Sequence, residues 1–173
     1  MTHEYVTRIL GVFIILVRKG LYRGRTRCMC MSVELPFAPV DTIIRGKAGE
    51  LRVSAGAAEE LAHRIQTHGA TLAVTAAEEA DTDDRKTLMA ADFGVRQVVP
   101  RRELELPIAP IDRIARLRID NQYRVSMDAR IALADILEDY ANNVADAAAI
   151  LARHADRRTI QAEDIETYFQ LFE

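Results

Sequence analysis

The carboxylates near the end of the first half of the chain are the densest group of side chains that could bind a ligand. Asp81, Asp83 and Asp84, followed by Asp92, superficially resemble a calcium-binding loop. Such a loop needs an oxygen ligand and a glycine at its fifth and sixth positions, where this chain has Arg85 and Lys86. These carboxylates therefore do not predict a calcium site.

Histidine and cysteine, the other side chains suited to catalysis or metal binding, are badly placed for either. His63, His68 and His154 have no cysteine partner, paired-histidine zinc motif or nucleophile motif nearby. Cys28 and Cys30 are too close for an easy disulfide, and one pair cannot fill a zinc site alone. We therefore expect no enzyme activity, no metal, no cofactor and two free thiols in a reducing compartment.

Charge is distributed unevenly along the 173 residues. The chain has a net charge of −3, but residues 1–30 carry six basic residues against one acidic residue, a net charge of +5. The remainder therefore has a net charge of −8, with few lysines. An acidic body of this kind, taken alone, argues against a nucleic-acid partner.

An internal repeat organises everything after residue 30. "ELPFAPVD" at residues 34–41 returns as "ELPIAPID" at residues 105–112, an offset of 71 residues. From "RVS" at residues 52–54 and 124–126 onward the offset is 72, so one residue has been inserted. The chain therefore contains two units of about seventy residues, which together cover residues 31–173.

The second unit predicts a short helix, a long helix and a third helix. Pro110 suits the first turn of the short helix. Ser126 is a good N-cap, and apolar residues then recur at three- and four-residue spacing over seven turns without Gly or Pro. The segment "DRRT" ends this helix, which is roughly 40 Å long. Residues 162–172 are predicted to form the third helix.

The first unit predicts the same three helices with weaker signals. The short helix is expected near residues 39–45, the long helix at residues 54–80 and the third at about residues 89–99. Gly56 and Gly69 lower the helix propensity of the long segment. A unit of seventy residues is marginal as an independent core, so we expect the two long helices to cross and fold as one body.

The segments between the repeated phrases resemble a known family. The second unit, with "ELPIAPIDRIARL" and "YRVSMDARIALADILEDYANNVADAAAILARHADRRTIQAEDIE", closely resembles an archaeal histone over its whole length. The first unit, with "ELPFAPVDTIIR", "LRVSAGAAEELA" and "DDRKTLMAADF", is a more divergent version. The whole arrangement resembles the tandem histones of halophilic archaea. Several segments agree in order and spacing, which makes the match specific.

The resemblance implies an all-α fold class, in which two histone folds are fused into one handshake pseudo-dimer that binds double-stranded DNA. It implies that each "RVS" arginine enters the minor groove, while the loop before the third helix and the short helix hold phosphates. The residues that match these roles are Arg52, Arg124, Lys86, Thr87, Arg158, Thr159, Arg45, Arg113 and Arg116. The first unit has Thr42 at the position of Arg113 in the second unit, so we expect weaker DNA binding on one side of the molecule.

Two arginines of the same loops are implied to have a structural role. In the family, an arginine pairs with an aspartate seven residues later and ties the loop to the third helix. The matching pairs are Arg85 with Asp92 and Arg157 with Asp164. We favour this pairing over direct DNA contact for both arginines.

The resemblance also implies a surface for self-association. Leu151 and His154 match the surface through which archaeal histone dimers join. The first unit has Glu79 and Thr82 at these positions, among other acidic residues that should repel their own copy. We therefore expect self-association through the second fold, with two chains pairing tail to tail. A solvated helix end without any partner is an equally open interpretation.

The resemblance divides the chain into four segments: a non-homologous extension (1–30), a first fold (31–99), a linker (100–104) and a second fold (105–173). Family members begin almost directly at the repeated phrase, so we expect residues 1–30 to be a mis-assigned start or a disordered tail.

The apolar run at residues 9–17 is about half as long as a membrane-spanning helix. Most nearby basic residues follow it, unlike a signal peptide. We expect no membrane, no small-molecule substrate and a cytoplasmic location on the chromosome.

The acidic body leaves two functions open. Abundant acid and few lysines are typical of a protein in molar salt, where charges are screened within a few ångströms. One function is an architectural histone that bends or wraps DNA without a base code. The other is a histone-fold transcription regulator or assembly module with sparse DNA sites, similar to CCAAT-binding and TATA-associated subunits. The retained Arg52, Arg124, Thr87 and Thr159 favour the first.

Overall fold

The computed structural model describes residues 33–172, with the side chains of residues 33–171. The prediction about residues 1–30 falls outside this part of the chain.

The first repeat unit contains two α-helices and the second contains three, with short strands and turns between them. The first unit consists of α1 (Phe37–Ala48), β1 (Arg52–Val53), α2 (Ala55–Thr82), β2 (Thr87–Leu88) and a 3-10 turn (Ala90–Phe93). A second 3-10 turn, Arg101–Glu103, follows in the predicted linker. The second unit consists of α3 (Ile108–Ala115), β3 (Arg124–Val125), α4 (Met127–His154), β4 (Thr159–Ile160) and α5 (Ala162–Phe172).

Both long helices begin at a serine cap. The Ser54 hydroxyl accepts a hydrogen bond from the Ala57 amide, and the Ser126 hydroxyl accepts one from Ala129, both at 3.1 Å. Each cap satisfies an amide that has no partner within its helix. The loops after the long helices also match, because Asp84 and Asp156 both have a φ of 54°. Aspartate tolerates this left-handed conformation better than most residues.

The two units pack mainly on each other. α1 of the first unit packs on α4 of the second, and α5 of the second unit packs on α2 of the first. The long helices also contact each other directly. Their apolar stripes supply fully buried side chains to a shared core, including Leu61, Ile65, Leu133 and Leu137. The expected fold class, all-α with two repeat units fused into one handshake, is confirmed, although the first unit lacks its third helix.

The prediction of a third helix at residues 89–99 is wrong. Only the 3-10 turn Ala90–Phe93 forms, and it ends at Gly94, whose φ of 76° is left-handed. Glu166 occupies the matching position in α5 and lets that helix continue. Glycine favours the left-handed cap and disfavours a helix interior. The β-branched Val95, Val98 and Val99 add little helix propensity beyond it.

Gly69 has a packing role that the sequence did not reveal. A β-carbon at this position would lie 2.9 Å from Ile114 Cγ2 and 2.9 Å from Leu137 Cδ1. Both neighbours are fully buried side chains of the other unit. The glycine therefore permits a close approach of the two units, in addition to lowering helix propensity.

Candidate nucleic-acid interface

Two short parallel bridges join the units, one at each end of the long helices. β1 pairs with β4, which places Arg52 beside Thr159. The Arg52 amide donates to the Arg158 carbonyl at 2.9 Å. The side chains of Arg52 and Arg158 are exposed, and neither has a carboxylate partner among the described residues. This surface, residues 49–54 with residues 150–161, is called the β1–β4 end.

The second bridge repeats this geometry with the units exchanged. β2 pairs with β3, which places Thr87 beside Arg124. The Arg124 amide donates to the Lys86 carbonyl at 2.9 Å. The Arg124 side chain is exposed and, within the described part of the chain, has no carboxylate partner. This surface, residues 78–89 with residues 121–126, is called the β2–β3 end.

An aspartate fixes the loop at each end. Just beyond the β2–β3 end, Asp92 accepts hydrogen bonds from Arg85 at 2.7 and 3.1 Å and from the Met89 amide at 2.7 Å. Burial alone would raise the pKa of Asp92, but the hydrogen bonds from Arg85 and Met89 outweigh it and lower that pKa. The hydrogen bonds to Asp92 and Asp83 raise the pKa of Arg85. Both groups therefore stay charged.

The matching pair at the β1–β4 end has the same arrangement. Arg157 forms an ion pair with Asp164, whose side chain is fully buried. Asp164 also accepts a hydrogen bond from the Gln161 amide at 2.8 Å. In both loops the arginine thus binds an aspartate seven residues later, and the same aspartate caps the following element.

Lys86 is held by neighbouring side chains. Its ammonium lies 2.7 Å from Asp81 Oδ1 and 5.0 Å from the centroid of the Tyr123 ring. The Tyr123 hydroxyl donates to the other oxygen of Asp81. Hydrogen bonds from Lys86 and Tyr123 lower the pKa of Asp81, and the hydrogen bond to Asp81 raises the pKa of Lys86. The contact with Tyr123 is not visible in the sequence, because Tyr123 belongs to the other unit.

The short-helix arginines each contact a carboxylate. Arg45 pairs with Asp41 at 2.5 Å and Arg116 with Asp112 at 3.1 Å, one helical turn away in each case. Arg113 reaches across the units to Glu34, at 2.7 Å. These three basic side chains are exposed, so their ion pairs are weak and another anion can replace the carboxylate.

Two further arginines, which were not identified from the sequence, donate to backbone carbonyls in or near the bridges. Arg130 donates to the Val125 carbonyl at 3.0 and 3.2 Å, which supports β3. Arg153 donates to the Ala48 carbonyl at 3.3 Å, at the end of α1. Both lie on α4, where a sequence pattern does not separate an arginine that donates to the backbone from a solvated one.

The residues of the expected association surface lie at the end of α4. His154 is exposed and Leu151 is half-buried. Beside them, Ile150 has 53% of its surface exposed. The matching end of α2 exposes Glu79 and Thr82 instead.

The middle of the molecule carries an aromatic cluster. The His68 ring stacks on Tyr140 with 4.2 Å between centroids, and these two residues occupy matching positions in the two units. Phe169 of α5 lies beside Tyr140, and the Arg64 guanidinium lies 4.4 Å from the centre of the Phe169 ring. Burial lowers the pKa of His68, which favours the neutral ring in this packing.

Other kinds of site are not evident in the described residues. Within residues 33–172, no group of three or more His, Cys, Asp or Glu side chains is placed to hold a metal ion. No helix in the same range is long and apolar enough to cross a membrane.

Comparison with known proteins identifies the family. Residues 33–97 and 104–167 each match the family described as histone-like transcription factor (CBF/NF-Y) and archaeal histone. The chain belongs to this family. Its members are non-enzymatic DNA-binding proteins, so the chain has a histone-type architectural role and is not an enzyme.

Two curated relatives each match a stretch of this chain about as long as one repeat unit. One subunit of the archaeal histone HAN1 from Thermococcus zilligii is 54% identical over 61 residues, which are 35% of this chain and 88% of the relative. Probable archaeal histone 3 of Methanocaldococcus jannaschii is 40% identical over 62 residues, 36% of this chain and 90% of the relative.

Solved structures match both units together. The histone from Methanopyrus kandleri has a TM-score of 0.60 and 26% identity, covering 76% of this chain and 91% of that one. A protein from Thermus thermophilus has a TM-score of 0.61 at 16% identity, covering 80% and 97% respectively. The second likeness concerns the fold alone.

Proposed function

We propose that this histone binds double-stranded DNA and bends or wraps it largely without base specificity, as a chromatin architectural protein of the tandem haloarchaeal type. The two parallel bridges support this role most directly. Each sets an exposed arginine of one unit beside a threonine of the other, Arg52 with Thr159 and Arg124 with Thr87. The two arginines have no carboxylate partner in residues 33–172.

The spacing of the bridges supports contact with successive turns of DNA. β1 precedes α2 and β2 follows it, so the bridges lie at opposite ends of a 28-residue helix. Such a helix is about 42 Å long, comparable with one turn of duplex DNA at about 34 Å. Arg52 and Arg124 would then enter the minor groove, where arginine responds to groove width and needs no base code.

The remaining predicted contacts would hold the DNA backbone. Thr87 and Thr159, with the amides beside them, are suited to phosphate oxygens, and such contacts position DNA without specifying sequence. Lys86 and Arg158 lie in the same loops. Arg45, Arg113 and Arg116 would exchange a carboxylate for a phosphate, so each would contribute less than an unpaired arginine.

The charge of the body fits a protein that works at high salt. A net charge of −8 outside residues 1–30 repels DNA over long distances at low salt. In molar salt the screening length falls to about 3 Å, so local arginine contacts operate without that repulsion. We therefore place this histone in the cytoplasm, on the chromosome of a salt-adapted cell.

We also propose that the chain associates with one other copy through the second fold. Leu151 and His154, beside the exposed Ile150, form the associating surface at the end of α4. The acidic end of α2 opposes association with its own copy. Two chains would join tail to tail, and the assembly would end there.

The acidic body also favours a second candidate, a histone-fold regulator with sparse DNA sites. Chromatin occupancy in the native cell separates the two functions. An architectural protein gives broad coverage of the chromosome and periodic nuclease protection. Narrow peaks confined to promoters would contradict the architectural role and support the regulator.

A further inference from the structure

The β1–β4 and β2–β3 ends have the same backbone geometry but different side chains at two matching positions. Asp81 at the β2–β3 end corresponds to Arg153 at the β1–β4 end. Tyr123 at the β2–β3 end corresponds to Leu51 at the β1–β4 end. The two residues that hold Lys86 at one end are therefore replaced, at the other, by a cation and an apolar side chain.

These replacements determine whether the cation in each loop, Lys86 or Arg158, already has a carboxylate partner. The Lys86 ammonium is bound by Asp81 and lies over the Tyr123 ring. To contact a phosphate, it must leave both. Arg158, the matching cation, is exposed and has no carboxylate partner in the described part of the chain. Arg158 can meet a phosphate without breaking an existing ion pair.

The net charges of the two ends differ in the same direction. The residues of the β1–β4 end carry a net charge of +2, with His154 neutral. Those of the β2–β3 end carry −2, because Glu78, Glu79, Asp81, Asp83 and Asp84 outnumber its basic residues. Duplex DNA carries one negative charge about every 1.7 Å along its axis, so the acidic end is repelled where the basic end is attracted.

We propose that duplex DNA docks on this histone with a polarity: the β1–β4 end is the main phosphate anchor, and the β2–β3 end is a weak contact restrained by the Asp81–Lys86–Tyr123 cluster. This inference rests on the proposed DNA binding. The chain then contacts DNA firmly over one turn and loosely over the next. A second copy joined through α4, beside the β1–β4 end, would bring the two strong anchors together.

Matched substitutions in the full chain test the polarity. Arg158→Ala and Lys86→Ala remove the matching cation from each end, and affinity is measured on one duplex of about 60 base pairs over a range of salt concentrations. We expect Arg158→Ala to weaken binding about tenfold and to reduce the salt slope by about 1. Lys86→Ala should weaken it less than about threefold, because Lys86 already has a partner.

Asp81→Arg, which copies the residue of the β1–β4 end, should strengthen binding and lengthen the hydroxyl-radical footprint by about one turn. Asp81→Asn, which removes only the acid, should do so to a smaller extent. Equal losses in Arg158→Ala and Lys86→Ala, with no gain from either Asp81 variant, would overturn the polarity and leave the proposed function standing. No binding by the unmodified chain would overturn both.

Discussion

Helix propensity and packing predict opposite effects on stability when Gly69 is replaced by alanine. Helix propensity alone makes Gly69→Ala stabilising by about 1 kcal/mol. The structure gives the opposite sign, because the added methyl group would lie 2.9 Å from two buried side chains. Overpacking of a filled core costs about 1–3 kcal/mol. Packing therefore decides the effect.

We predict that Gly69→Ala lowers the free energy of unfolding by up to about 2 kcal/mol, after the gain in propensity is subtracted. Gly56→Ala is the matched control in the same helix. Its added carbon would lie 3.8 Å from Ala162 Cβ, an ordinary contact, so this variant should be neutral or more stable. Denaturant unfolding of both variants makes the comparison, and a stabilised Gly69→Ala would contradict the close approach.

Side-chain chemistry at the interface was only partly readable from the sequence. The repeated "RVS" triplets marked Arg52 and Arg124, because identical residues at matching positions are visible without a structure. The ion pair of Arg113 with Glu34 was not visible, since the partners are distant in sequence and meet only when the units pack. The same reason hid the contact of Tyr123 with Asp81.

At the scale of elements, the long helices were the most predictable part. Ser54 and Ser126 marked their starts, and their apolar stripes followed helical spacing. The third helix of the first unit was mispredicted because Gly94 lies inside an otherwise acceptable pattern. The repeat suggested that residues 89–99 would form a helix like α5. The preference of Gly94 for a left-handed backbone ended the element after one turn instead.

The different ends of α2 and α4 yield a prediction about assembly size. Sedimentation of the unmodified chain on long duplex DNA should give complexes of two chains and no more. Replacing Leu151 with Glu and His154 with Thr, the residues of the first unit, should leave single chains, because both ends are then unable to associate.

The reciprocal change supplies the control for assembly. Replacing Glu79 with Leu and Thr82 with His gives α2 the residues of α4, and assemblies longer than two chains should appear. Arrays formed by the unmodified chain would contradict a single associating end.

At the scale of the whole molecule, the repeat accounts for the architecture. Each unit alone has a long apolar stripe that its own short elements cannot cover. Packing α1 on α4 and α5 on α2 covers both stripes, so the two units form one core. The sequence indicated this outcome because the two stripes are repeated in one chain. The parallel pairing of β1 with β4 and of β2 with β3 needed the structure.

The charges of the whole molecule limit how DNA can be held. With a net charge of −8 outside residues 1–30, binding depends on a few local cations and not on the overall field. Arg52 and Arg124 are the two such cations placed identically at both ends and left without carboxylate partners in residues 33–172. DNA binding should therefore depend most strongly on these two side chains.

The most direct test is the affinity of the Arg52→Ala/Arg124→Ala double variant for duplex DNA. Two unrelated duplexes of equal length and fluorescence anisotropy at fixed salt are sufficient, with a thermal melt to verify folding. A charge-assisted hydrogen bond contributes about 1.5–3 kcal/mol. Because two arginines are removed, we predict a loss of at least about 100-fold on both duplexes, with an unchanged melting temperature. Arg101→Ala/Arg102→Ala, which removes the same charge from the linker, should lose far less. Unchanged affinity in the double variant would show that Arg52 and Arg124 do not contact DNA.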